Sequence, residues 1–175
     1  MDRAGAVAAA PADPPYSAGV DPNHYRFRGA WRLSAPAAAV YATLEDVRNY
    51  PRWWPEIRAV REDDPDSGAV VVRGYLPYRL VIGLRTVRRD PAAGVLEAAM
   101  TGDLTGWSRW TVAPDDGGSL LRFEEDTRPG KPLLRRLALP LHPVLRANHA
   151  VMMHRGLRGL AAHLGSAPPR RAARA

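Results

Sequence analysis

The sequence predicts an α+β domain in which seven antiparallel strands precede a long C-terminal helix. Three observations lead there. Between Ile57 and Thr127, β-type segments alternate with short turn signals. From Leu133 to Leu164 the apolar spacing becomes helical, about 3.6 residues per repeat. Ahead of the strands sits a rigid aromatic corner, Tyr50-Pro51-Arg52-Trp53-Trp54-Pro55, where flanking prolines stop a regular helix and hold two indoles in a bent segment. Such bulky rings need apolar cover and partners for their N–H groups, so this corner marks the end of a core or the rim of a cavity.

The elements follow in order. Tyr25, Phe27, Trp31 and Leu33 share one face of the first strand, and Arg26, Arg28 and Arg32 share the other. That alternation is the signature of a strand with one face on a core. Ser34 is placed to cap the next helix, with Pro36 in its first turn, and Ala37, Val40, Tyr41 and Leu44 fall at helical spacing. After the aromatic corner come strands at 57–63, 69–75, 78–89, 95–101, 105–112 and 119–127. They are separated by Pro65-Asp66-Ser67-Gly68, Pro77, Asp90-Pro91-Ala92-Ala93-Gly94, Gly102-Asp103 and Asp115-Asp116-Gly117-Gly118. Short connections make these six a meander. Beyond Pro129-Gly130-Lys131-Pro132 the expectation is a loose helical segment broken at Pro140 and Pro143, then one amphipathic helix. In it Leu145, His149, Met152, Gly156 and Leu160 share an arc opposite His154, Arg155 and Arg158. The folded unit is therefore residues 23–165. The Ala/Pro-rich leader 1–22 and the basic tail 166–175 are expected to be disordered.

Composition narrows the function. The chain has 175 residues, 46% of them apolar, which suffices for one domain with a real core. There is no cysteine, so disulfides, thiolate catalysis and cysteine-held zinc are excluded. The net charge of +7 rests on 24 arginines and one lysine, Lys131. Glutamine is absent and alanine abundant, a skew that reflects coding bias in a GC-rich genome. The arginines are scattered along strands, so no nucleic-acid partner is expected. No run approaches the ~20 apolar residues of a membrane span. The N-terminal alanine stretch is too short and weakly hydrophobic for an export signal, and Asp2 opposes one. These features point to the cytoplasm.

The order strand, short helices, six strands, long helix is that of the helix-grip fold. Trp31-Arg32-Leu33-Ser34-Ala35-Pro36, then Val40-Tyr41, Asp46 and Tyr50 through Pro55, resemble the opening of the polyketide cyclase/dehydrase family, part of the START-like (Bet v 1-like, SRPBCC) superfamily. Asn148-His149, Met152-Met153 and Gly156-Leu157 resemble the final helix of its bacterial members. The resemblance covers nearly all of 23–165. It implies a curved seven-stranded antiparallel sheet wrapped around the last helix, with a cavity between them that binds lipids, sterols or polyketides, and in some relatives cyclises or dehydrates a polyketide.

On that fold the expected ligand-binding residues are Trp31, Trp54, Tyr75, Tyr78, Leu80, Ile82, Trp107, Phe123, His149, Met152 and Gly156, with Leu160 adding wall. Each apolar member can equally fill core. Gly156 and Gly159 make room either for a ligand or for close helix–sheet contact. His149 is the first catalytic candidate, as hydrogen-bond donor or general base; otherwise it is a core histidine bonded to a neighbouring strand. Arg109 is the second, and shares a strand face with Trp107. Facing inward it would anchor an anionic group and need Glu97 or Glu125 beside it; facing outward it is a surface arginine. No nucleophile–base pair, phosphate loop or metal motif is present, so no cofactor or metal is expected. Three functions remain: binding of an apolar or aromatic small molecule, a polyketide aromatase/cyclase or dehydratase, and a lipid-binding module held weakly on anionic membrane by its outer arginines and by Arg170, Arg171 and Arg174.

Overall fold

The computed structural model describes residues 23–76, 78–130 and 132–172, without the side chains of 133–135, 137–139 and 141. The expected disordered leader, the prolyl break at Pro77 and Arg174 lie outside the described residues.

Strand β1 (Tyr25–Leu33) leads to α1 (Ala37–Glu45), a 3-10 turn (Val47–Asn49) and α2 (Tyr50–Trp53). The meander follows: β2 (Ile57–Asp64), β3 (Ser67–Val72), β4 (Leu80–Asp90), β5 (Val95–Gly102), β6 (Leu104–Asp115) and β7 (Gly118–Pro129). Helix α3 (Pro132–His163) comes next, then a short β8 (Arg170–Arg171). The sheet order is β2-β3-β4-β5-β6-β7-β1-β8. This is the helix-grip architecture. Register shifts in β2 and between Thr86 and Arg88 of β4 act as bulges, which bend strands and increase twist, so one sheet face is concave. The hairpin predicted at Asp115–Gly118 forms, with Gly117 at φ +75°, a conformation that glycine adopts freely.

The concave face carries the core. Val40, Tyr41 and Leu44 of α1 pack there with Val112 and Leu121, and Leu160 of α3 joins them. In the aromatic corner Trp53 and Trp54 stack with ring centroids 5.5 Å apart, and Tyr50 lies 4.7 Å from Trp53. Among the described residues neither indole N–H has a hydrogen-bond partner, contrary to expectation; stacking supplies the contact instead. The buried Tyr50 hydroxyl donates to the Leu44 carbonyl oxygen at 2.6 Å, which ties α2 back to the end of α1.

That tie carries a prediction. Burial, and secondarily the Asp46 charge, push the Tyr50 phenol far above the usual tyrosine range. The folded chain thus keeps a proton that the unfolded chain releases near pH ~10. The resulting stability is intact below that pH and is lost as pH rises further. Tyr50→Phe should cost about 1 kcal/mol at neutral pH in urea unfolding, and flatten the fall in stability between neutral and strongly alkaline solution.

Three local expectations need correction. Ser34 does not cap α1; Pro36 is the N-cap residue, and its carbonyl oxygen accepts from Ala39 and Val40. Pro140 and Pro143 do not break the last helix, because α3 runs through both. Tertiary contact supports that stretch: His142 stacks on Tyr25 of β1 at 5.0 Å. The tail is not frayed as far as 172. Arg170 and Arg171 pair with Arg32 and Trp31, and the Ala172 N–H reaches the Ala30 carbonyl oxygen at 2.9 Å, making an eighth strand. The open edge of β1 would otherwise leave backbone groups without partners. Among the described residues no helix is long and apolar enough to cross a membrane.

Candidate functional site

A cavity of about 270 Å³ lies between the concave sheet face and α3. Its wall follows from strand alternation. Phe123, Glu125 and Thr127 of β7 point inward in sequence, as do Tyr25 and Phe27 of β1, Ser108 and Trp110 of β6, and Leu80 and Ile82 of β4. Helix α3 contributes Leu145, Asn148, His149, Met152 and Met153, and the aromatic corner contributes Tyr50 and Trp54. Apolar walls with a few convergent polar groups are the usual make-up of small-molecule sites.

The polar groups gather at one place. The His149 ring nitrogen Nε2 lies 3.3 Å from Glu125 Oε2, and the Thr127 hydroxyl donates to Glu125 Oε1 at 3.0 Å. Glu125 is 8% exposed. The imidazole is stacked on Phe27, with centroids 3.6 Å apart, and Phe123 lies 6.2 Å away. The ring is thus fixed by an aromatic plate on one side and a carboxyl group on its edge, leaving Nδ1 as its second polar atom. Tyr25 and Tyr78 add two phenols. Burial raises both above the ordinary tyrosine value; Arg146 pulls Tyr25 back somewhat, and Tyr25 itself raises Tyr78 further. Both remain donors at neutral pH.

A polar clamp holds the β3–β4 connection across α3. The Tyr75 N–H donates to Asn148 Oδ1 at 3.1 Å, and Arg155 Nη1 donates to the Tyr75 hydroxyl at 2.5 Å. Arg155 Nε also pairs with Glu56 Oε1 at 2.7 Å, where the glutamate is 4% exposed. One arginine therefore joins α3 to the start of β2 and to the strap that carries Tyr78 into the cavity.

The candidate residues divide accordingly. Trp54, Tyr78, Leu80, Ile82, Phe123, His149 and Met152 line the cavity; Trp31, Tyr75, Trp107, Arg109, Gly156 and Leu160 do not. Trp31 shares the face of Tyr25 and Phe27 but folds over Gly29, where any Cβ would fall 2.1 Å from the indole. Tyr75 is 65% exposed on the outside of the strap. Trp107 and Arg109 alternate with the inward Ser108 and Trp110 and so lie on the convex face. There Arg109 pairs with its cross-strand neighbours Glu97 (2.8 Å) and Glu124 (3.7 Å) and sits 5.1 Å over the Trp107 ring. It is a surface arginine, and Glu125 belongs to His149 instead. Gly156 seats Trp54, whose Cε2 would meet a Cβ at 2.4 Å, and Leu160 is 1% exposed in the core. Tyr25, Phe27, Trp110, Glu125 and Asn148 were not foreseen as lining residues. Two-residue alternation from Phe123 would have found Glu125.

The sequence model for "Polyketide cyclase / dehydrase and lipid transport" matches residues 25–165. The chain belongs to this family. Its members' fold recurs in solved structures at low identity. The ZhuI aromatase/cyclase from Streptomyces sp. R1128 is 16% identical, with TM-score 0.63, covering 81% of this chain and 94% of that one. The di-domain ARO/CYC BexL from the BE-7585A biosynthetic pathway is 16% identical, with TM-score 0.65, over 84% of this chain and 52% of its own length. A conserved protein from Geobacillus kaustophilus gives TM-score 0.69 at 10% identity, covering 81% of this chain and 95% of that one. Among curated protein sequences none matches the chain. As a member of the polyketide cyclase/dehydrase family, the chain has the fold and the cavity; these likenesses extend to fold alone, and the chemistry must come from the site.

Proposed function

We propose that this chain binds a compact apolar or aromatic molecule in the cavity between sheet and α3, and reads one polar group on it with the His149–Glu125 pair. The observation that carries this reading is a part-buried hydrogen-bonding pair set in a wall of rings and aliphatic side chains. Phe27, Phe123, Trp54 and Trp110 offer faces and edges to an aromatic or acyl body. His149 fixes its orientation. The strap held by Asn148 and Arg155 covers the site beside Tyr78.

A second reading is an aromatase/cyclase or dehydratase acting on a polyketide. His149 favours it, since an imidazole held by a carboxyl group is a suitable general acid–base partner for a ligand ketone. In that reading Glu125 positions the ring and the aromatic wall selects one folded conformation of the substrate. The bound molecule needs no cofactor in either case.

Native mass spectrometry of the purified protein tests the first reading directly, through a co-purified small molecule. A panel of fatty acids, sterols and flavonoid-like aromatics should contain members that raise the melting temperature; a ligand at 100 times its Kd adds about 2.7 kcal/mol. Binding should also change the emission of Trp54 and Trp110. If no panel member shifts the melting curve and no ligand co-purifies, the binding proposal fails. Turnover of a ligand that His149→Phe still binds but no longer converts would favour the enzyme.

A further inference from the structure

We infer that the outer face of α3 docks on an anionic phospholipid surface. The proposal goes beyond the cavity reading and rests on a charge segregation along the chain. Residues 127–175 contain ten lysines and arginines and no aspartate or glutamate, whereas residues 1–126 contain 15 basic and 18 acidic residues. Five of the ten, Arg135, Arg136, Arg146, Arg155 and Arg158, belong to α3. On the convex sheet face Arg26, Arg28, Arg32, Arg88 and Arg109 each lie within ion-pairing distance of a carboxylate. That face, with its paired charges, is a poor membrane ligand.

Helix α3 is the opposite case. Val144, Ala147, Val151, His154, Arg155 and Arg158 form an exposed stripe opposite the cavity-lining arc. Arg136, one helical stretch earlier, is exposed as well. Among the described residues only Arg155 of these has a carboxylate partner, Glu56. Among the described residues Val144 and Val151 are two of the five large hydrophobic residues that stand exposed, and a third, Tyr75, lies under the Arg155 guanidinium at 5.5 Å. Aliphatic tips and a tyrosine set among arginines suit a bilayer surface, where the charges meet anionic headgroups and the apolar tips enter the interface. An acidic protein would satisfy the arginines but leave the valines without that reward. The stripe runs on the back of the helix that roofs the cavity, so docking would bring the strap and α3 together to the lipid.

The test is co-sedimentation of the full chain with phosphatidylcholine vesicles, with and without phosphatidylserine. Binding is expected only with phosphatidylserine, and should weaken as salt is raised. Each arginine lost should reduce partitioning about fivefold, so Arg136→Glu with Arg158→Glu should reduce it about 25-fold or more. Val144→Ser with Val151→Ser should also weaken it, while Arg122→Glu on the convex face should not. All three variants sit at exposed positions, and an unchanged melting curve checks that they fold. Equal binding to vesicles without phosphatidylserine, or equal effects of Arg122→Glu and the α3 pair, overturns the proposal. So does retention on heparin without vesicle binding, which would mark a surface for an acidic macromolecule.

Discussion

Gly159→Ala should destabilise the domain by about 2 kcal/mol or more, although helix propensity alone would have it stabilise by about 1 kcal/mol. The reason is a backbone contact. A Cβ on residue 159 would lie 1.7 Å from the Trp53 carbonyl oxygen and 2.9 Å from its carbon. A carbonyl cannot rotate away as a side chain can, so α3 must lift from α2. The buried neighbours Leu157, Leu160 and Ala161 would lose contact with it. Urea unfolding should show a lower midpoint with an unchanged slope, since the surface exposed on unfolding is the same. Gly156→Ala makes an instructive partner. Its Cβ would meet the Trp54 indole at 2.4 to 2.7 Å, and that indole is a side chain with the cavity beside it. The ring can swing inward, so this variant should lose less stability and more ligand affinity. A Gly159→Ala protein that is more stable than the parent would mean α3 does not rest on Trp53.

The two glycines also mark what could be read from residues alone. Alternation put Trp107 and Arg109 on one face of their strand and Tyr78, Leu80 and Ile82 on one face of theirs, but not which face was concave; Trp107, expected in the wall, lies on the convex side because Ser108 and Trp110 point inward. Helical spacing put His149, Met152, Gly156 and Leu160 on one arc, and α3 presents that arc to the protein. It did not separate the cavity level, at His149 and Met152, from the packed level, at Gly156 and Leu160. That division is set by where Trp53 and Trp54 cross the helix, a contact between residues a hundred positions apart. Strand β8 left no trace, because two residues have no periodicity and their pairing is decided by the free edge of β1. Pro140 and Pro143 misled for the opposite reason. Their local cost is real, and tertiary packing such as His142 on Tyr25 overrides it. The Glu125–His149 contact was hidden for another reason: alternation from Phe123 turns Glu125 inward, but it takes the crossing of α3 over β7 to bring His149 to it.

That contact supports the second large effect. His149→Leu should cost about 1–3 kcal/mol, because it takes one of two hydrogen-bond partners from the buried Glu125 and leaves it the Thr127 hydroxyl among the described residues. Glu125→Leu should cost a similar amount by removing the partner of the ring nitrogen, although His149 keeps its stacking on Phe27. The double variant should recover most of the loss, since replacing both members of a buried polar pair by apolar groups is near neutral or stabilising. A double-mutant cycle in urea measures that coupling directly. The same three proteins separate stability from recognition. If His149 reads a polar group on the ligand, the double variant will be as stable as the parent yet bind the polar ligand at least tenfold more weakly, a difference of about 1.4 kcal/mol. It should keep affinity for a purely hydrocarbon analogue of the same shape. Equal binding of both ligands by the parent and the double variant would make the pair a structural tie between β7 and α3 and leave the cavity to select by shape alone.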